Sequence, residues 1–188
     1  MWPRYGGMTL VELLLVLSIL LFLMLKVATP FFSERRQVME IDHMMLDIQN
    51  SIALARRSAV SENTMVTYCR SNDFLHCQGN WMDGAIIFTD ANADHVVNQQ
   101  DRILFSTPSI KPAGQLKFAA FRNRQYLQLT PRGITDFQNG NFTFCPADGN
   151  PTRARQLIVS FSAKTRMAKD TDGDGIVEDS KGLALRCP

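Results

Sequence analysis

The chain has 188 residues, 45% of them hydrophobic, and its 20 Lys and Arg against 18 Asp and Glu give a formal charge of +2. That length suits one globular domain plus an anchor. The composition carries no internal repeat or low-complexity linker, and no glycine-rich nucleotide loop.

The chain opens on a short leader carrying Arg4 that ends Gly6-Gly7-Met8-Thr9-Leu10-Val11-Glu12. Residues 8–32 then form an apolar stretch interrupted by Glu12 and Lys26, long enough to cross a bilayer with some tilt. Arg4 precedes it and is expected to stay cytoplasmic, which puts everything after the stretch in the periplasm of a Gram-negative cell. A bare carboxylate in a lipid-buried helix costs about 2.5–3.5 kcal/mol on insertion scales. The tolerance of Glu12 therefore points to a positive group on a neighbouring molecule, and to an anchor that becomes an assembly surface.

This arrangement resembles the leader of type IV prepilins and type II secretion pseudopilins. The resemblance implies that a membrane-embedded prepilin peptidase cuts between Gly7 and Met8 and methylates the new amine. Residues 1–7 are then the leader, 8–32 the membrane and assembly half of a helix, and 33–188 a periplasmic globular domain. It further implies that Glu12 pairs with the free N-terminus of an adjacent subunit during filament assembly. Two departures stand out: no glycine lies between Met8 and Pro30, and the exit proline sits one place later than in most pilins.

After Pro30, which is expected to kink or loosen the helix, the helical pattern continues. Val38, Ile41, Met45, Ile48, Ile52, Ala55 and Ala59 recur at three- and four-residue spacing, with most charges off that stripe. The spacing predicts one helix from Met8 to about Glu62, with the stripe packed against a sheet.

From Asn63 the pattern changes to short apolar runs at 64–69, 85–89, 102–105, 115–121, 125–130, 141–145, 157–161 and 164–168, separated by turn-rich pieces. A long helix followed only by strands predicts an α+β fold with antiparallel sheet wrapped on the helix. Cys69, Cys77, Cys145 and Cys187 have no zinc-ligand spacing and suit an oxidising compartment. Three pairings are open. The favoured one closes the polar loop 70–76 with Cys69–Cys77 and ties the tail to the sheet with Cys145–Cys187.

The downstream pieces resemble the FimT/FimU/GspH branch of minor pilins and pseudopilins. They are Leu54-Ala55-Arg56-Arg57-Ser58-Ala59-Val60, Trp81-Met82-Asp83-Gly84-Ala85, Phe142-Thr143-Phe144-Cys145-Pro146 and Ala154-Arg155-Gln156-Leu157-Ile158. The resemblance implies a disulfide-stapled pilin-like fold and a minor pilin of a type IV pilus, at or near the filament tip. Alternatives are a DNA-binding minor pilin of natural transformation and a GspH-like secretion pseudopilin. Its partners would be other pilins, through the N-terminal helix, with the prepilin peptidase and the inner membrane.

Charge is uneven along the chain. Residues 102–169 hold eleven Lys and Arg against Asp136 and Asp148 alone, an imbalance that attracts polyanions in a salt-dependent way. DNA receptors in the resembling branch carry Gly-Arg-x-Arg late in the chain, and the matching positions are Ala163-Lys164-Thr165-Arg166. Arg153, Arg155, Lys164, Arg166 and Lys169 are the candidate contacts to double-stranded DNA, without sequence preference.

Asp170-Thr171-Asp172-Gly173-Asp174-Gly175-Ile176-Val177-Glu178 matches the opening of a calcium loop. Asp170, Asp172 and Asp174 would supply oxygens to Ca2+, Ile176 its carbonyl, and Glu178 a direct or water-mediated ligand. The twelfth position is Lys181, which excludes a full EF-hand. Asp90–Asp94 has a similar spacing, but His95 replaces the needed glycine. His43, His76 and His95 share no spacing, and no catalytic residues are expected.

Overall fold

The computed structural model describes residues 7, 9–109 and 112–187, side chains 27–33 excepted. Its order is α1 (Leu10–Glu62), β1 (Val66–Arg70), β2 (Ala85–Thr89), β3 (Ile103–Thr107), β4 (Gly114–Ala120), β5 (Tyr126–Leu129), β6 (Gly140–Pro146), β7 (Arg155–Val159) and β8 (Thr165–Met167). The fold is α+β. Each of the eight strands lies within two residues of a predicted apolar run.

Local chemistry sets both ends of α1. Thr9 accepts the Glu12 amide on its hydroxyl at 3.3 Å and the Leu13 amide on its carbonyl at 3.1 Å. That is half of a Thr-x-x-Glu capping box. Asn63 ends the helix at φ 50°, a left-handed conformation that asparagine tolerates, and the Thr64 amide closes onto the Ala59 carbonyl at 3.2 Å. The helix runs unbroken through Pro30.

The chain forms two compact units, Met1–Met39 and Glu40–Pro188. In the first, every large apolar side chain from Leu10 to Leu25 is between 40% and 74% exposed. Among the described residues no helix is long and apolar enough to cross a membrane. The stretch expected to span, 8–32, includes Met8 and the side chains of residues 27–32, which lie outside the description.

In the second unit the α1 stripe is the core face: Ile41, Met45, Ile48, Ile52, Ala55 and Ala59 are all buried. Two four-stranded sheets supply the opposing surface, with orders β3-β2-β1-β5 and β4-β6-β7-β8. All their pairings are antiparallel. Alternation sends Val66, Tyr68, Ile87, Leu127 and Leu129 from the first sheet, and Leu116, Phe118, Phe142, Phe144 and Leu157 from the second, into the same cluster. Phe142 is its aromatic centre, stacked on Phe118 at 4.3 Å and edge-on to Trp81 at 4.9 Å. The opposite face of the first sheet buries Cys69, Ile86 and Phe88 in a smaller cluster.

Gly84 explains the Trp-Met-Asp-Gly piece that precedes β2. At φ 140° its missing Cβ would lie 2.7 Å from the Thr107 carbonyl oxygen and 2.9 Å from that of Ser71, so a side chain there would separate β2 from its neighbours.

The disulfides are Cys69–Cys77 and Cys145–Cys187, separated by 8 and 42 residues. The second holds the tail over a small core of Ala154, Ala168, Val177 and Leu185. There the Leu185 amide donates to the Val177 carbonyl at 3.0 Å.

Candidate assembly and ligand sites

Gly7 is exposed, and Met8, the other side of the expected cut, lies outside the described residues. Glu12 is exposed in the first turn of α1, with its amide held by Thr9. A carboxylate there gains about 0.3–1 kcal/mol from the helix dipole. A charge at the centre of a spanning helix costs about 2.5–3.5 kcal/mol, more than this dipole gain returns. The role of Thr9 was readable as a Thr-x-x-Glu spacing, a signal that the leader motif overshadows.

The structure separates the five basic candidates into two groups. Arg155, on β7, places Nε 2.8 Å from Asp42 Oδ1 on α1 and donates through Nη1 to the Thr152 and Ala154 carbonyls at 3.1 and 2.9 Å. Arg153 pairs with Asp148. Both guanidiniums are largely covered, at 18% and 14% side-chain exposure. Lys164, Arg166 and Lys169 are exposed, and among the described residues no ion pair engages them.

Arg166 sits on β8, the edge strand of its sheet, opposite Ile158. Lys164 precedes it in a tight turn in which the Ser160 amide donates to the Lys164 carbonyl at 2.9 Å. The turn and α1 together line a groove of about 910 Å³ that includes Arg56, Arg57, Ser61 and Lys164. Arg57, exposed on α1, thus joins this basic surface. Sequence order gave no sign of it, because the two segments lie about a hundred residues apart.

The acidic loop is compact. Asp170, Asp172, Asp174 and Glu178 each bring a carboxylate oxygen within 4.8 Å of the others. Asp170 accepts the Gly173 amide at 2.7 Å and the Gly175 amide at 2.9 Å, and these bonds hold its carboxyl below the usual carboxylate range. The Ile176 amide donates to Asp174 at 2.7 Å. Asp179 faces away, accepting the Lys181 and Leu183 amides at 2.7 and 3.0 Å. Glu178 is buried. Its Oε2 accepts the amide and hydroxyl of Thr171 at 2.8 and 2.9 Å, while among the described residues Oε1 has no hydrogen-bond partner.

The similar run from Asp90 does not gather carboxylates. Asp90 is fully buried and accepts from Thr67 at 2.6 Å and from Gln128 at 3.1 Å. Gln128 also meets His95 Nδ1 at 2.8 Å. This internal network fixes the loop after β2.

The fold and leader have counterparts among known proteins. Residues 46–163 match the family model for the type II transport protein GspH, and residues 2–25 match the prokaryotic N-terminal methylation motif. No curated protein matches the sequence. The fold is similar to that of the type IV minor pilin FimU of Pseudomonas aeruginosa in two crystal forms. One has TM-score 0.56 and 18% identity over 84% of this chain and 99% of that one. The other has TM-score 0.52 and 16% identity over 68% and 92%. The minor pseudopilin EpsH of Vibrio cholerae lies further off, at TM-score 0.49 and 13% identity over 68% and 95%. The GspH match spans more than half of the sequence, and with the methylation motif it establishes that this chain belongs to the GspH family of minor pilins and pseudopilins.

Proposed function

We propose that the chain is a minor pilin of a type IV pilus, anchored in the inner membrane as a single-pass precursor. Prepilin peptidase would cut between Gly7 and Met8, and the mature subunit would pack into or at the tip of the filament. The observation that carries this reading is the apolar surface of α1. From Leu10 to Leu25 it is exposed on every side, far more than a soluble monomer tolerates. Lipid covers such a surface before assembly, and like helices cover it afterwards. Glu12, near the start of that surface, then meets an amine of the adjacent subunit and sets register. The role is structural and needs no catalysis.

The pilus reading is supported by the likeness to FimU, and a secretion pseudopilus by the name of the matching family. Deletion of the gene separates them. Loss of surface pili with normal exoprotein release supports the pilus. Blocked exoprotein release with normal pili rejects it.

A second reading rests on Lys164, Arg166 and Arg57, exposed together around the β8 edge and its neighbouring groove. Such a surface suits duplex DNA bound through phosphates without sequence preference. A gel shift of the full chain in detergent at low salt, lost on raising salt, supports it. Absence of any shift rejects it.

A further inference from the structure

We propose that the loop between β8 and the C-terminal tail is a structural calcium site, formed by Asp170, Asp172, Asp174 and Glu178. This goes beyond the filament reading and does not depend on it. The four carboxylates already lie together, each with an oxygen within 4.8 Å of the others. Among the described residues no ion pair balances them.

A second observation points to a cation independently of that clustering. Glu178 is 8% exposed, and among the described residues its Oε1 has no hydrogen-bond partner although Oε2 has two. A buried carboxylate oxygen without a donor is costly, and native structures rarely leave one. The other three carboxylates each bring an oxygen within 4.8 Å of the Glu178 carboxylate, so a positive ion among them supplies the partner that Oε1 lacks.

The donor set identifies the class of ion. It consists of carboxylate oxygens, with no thiolate and no imidazole, which suits a hard cation over zinc or copper. The loop is irregular, with glycines at 173 and 175 in left-handed conformations at φ 82° and 86°. Calcium accepts six to eight oxygens in variable geometry, whereas magnesium demands a near-ideal octahedron and keeps its water. The carbonyl of Ile176 and water can complete the shell.

The site has a mechanical purpose. The Glu178 amide donates to the Lys169 carbonyl at 3.1 Å, and Glu178 bridges to Ala184 across the tail. Three residues beyond Ala184, Cys187 is bonded to Cys145 of β6. An ion held by residues 170–178 therefore fixes the tail over the small core of Ala154, Ala168, Val177 and Leu185.

The test uses the full chain in detergent micelles, stripped with EGTA and titrated with calcium chloride by calorimetry, with thermal melting measured in parallel. One calcium is expected per chain, with a Kd on the order of 10⁻⁴–10⁻³ M, as in extracellular modules. Saturation is expected to raise the melting midpoint by a few degrees, on the order of 4 °C. Asp172→Asn and Asp174→Asn should each weaken binding by at least about tenfold. Both should keep the wild-type midpoint in EGTA, which shows that they fold. The proposal is overturned by no heat and no melting shift at about 10 mM calcium. It is equally overturned by binding unchanged in both variants, or by an equal response to magnesium.

Discussion

Arg155 and Asp42 lie 113 positions apart in sequence and meet at 2.8 Å, Nε to Oδ1, joining β7 to α1. The same guanidinium holds the Thr152 and Ala154 carbonyls that lead into β7. Arg155 is therefore a strut of the fold more than a free cation. Arg155→Ala is expected to destabilise the globular unit by about 1–2 kcal/mol, discounted for the half-exposed carboxylate. A urea titration measures that loss. Lys164→Ala/Arg166→Ala, by contrast, should leave the urea midpoint within experimental error and weaken DNA retention at low salt. Equal loss of DNA binding from Arg155→Ala, with no change in stability, would refute this division.

Thr9 and Glu12 can be separated experimentally. Thr9→Ala removes the cap on the Glu12 amide and should cost about 1 kcal/mol of local helix stability. It should leave incorporation into filaments near normal. Glu12→Ala keeps the cap and removes the carboxylate; it should insert in the membrane yet vanish from sheared filaments. Immunoblots of the membrane and sheared fractions give both answers. Wild-type amounts of the Glu12→Ala chain in filaments would exclude an assembly role for the carboxylate.

The two disulfides are expected to differ in worth. Closing 42 residues restricts the unfolded chain more than closing 8. Chain-entropy reasoning gives about 4 kcal/mol for the longer loop and about 2.5 kcal/mol for the shorter. Replacing Cys145 and Cys187 together by serine should lower the urea midpoint more than replacing Cys69 and Cys77. It should also expose the tail to protease. The reverse order would contradict the assignment of the tail disulfide as the larger constraint.

Asp73 makes the Cys69–Cys77 loop sensitive to acid. Its carboxylate lies 2.6 Å from His76 Nδ1 and accepts the Leu75 and His76 amides at 2.9 Å each. The His76 contact first, then those amides, hold it far below the usual carboxylate range. A depressed folded pKa contributes stability that is complete above the unfolded value of about 3.9 and disappears as pH falls through the folded value. Amide exchange at Leu75 and His76 should thus stay protected down to about pH 4 and accelerate below it, beyond the intrinsic pH dependence. Asp73→Asn should abolish that acid step. Protection unchanged at low pH in the wild type would remove Asp73 as its cause.

Much of the architecture was legible because it depends on local periodicity. The buried stripe of α1 and the alternating strands are read directly from apolar spacing. Asn63 marks the helix end by its tolerance of φ 50°. The division into two sheets was not legible, since strand partners are chosen by contacts distant in sequence. The Arg155–Asp42 pair and the Arg57–Lys164 groove were hidden for the same reason. Ala163 shows a subtler limit. It occupies φ 53°, where the resembling DNA receptors have glycine, and its methyl is buried. The left-handed conformation costs alanine about 1 kcal/mol, and burying the methyl returns about 0.8 kcal/mol. Sequence shows the missing glycine, but only the structure shows why its loss is tolerated.

The filament account depends most directly on how the mature polypeptide begins. Intact-mass and N-terminal peptide analysis of the chain isolated from native membranes and from sheared filaments decides it. The account predicts a polypeptide that starts at Met8 with a methylated amine in both fractions. A chain that still starts at Met1, with an unmodified amine, would contradict it.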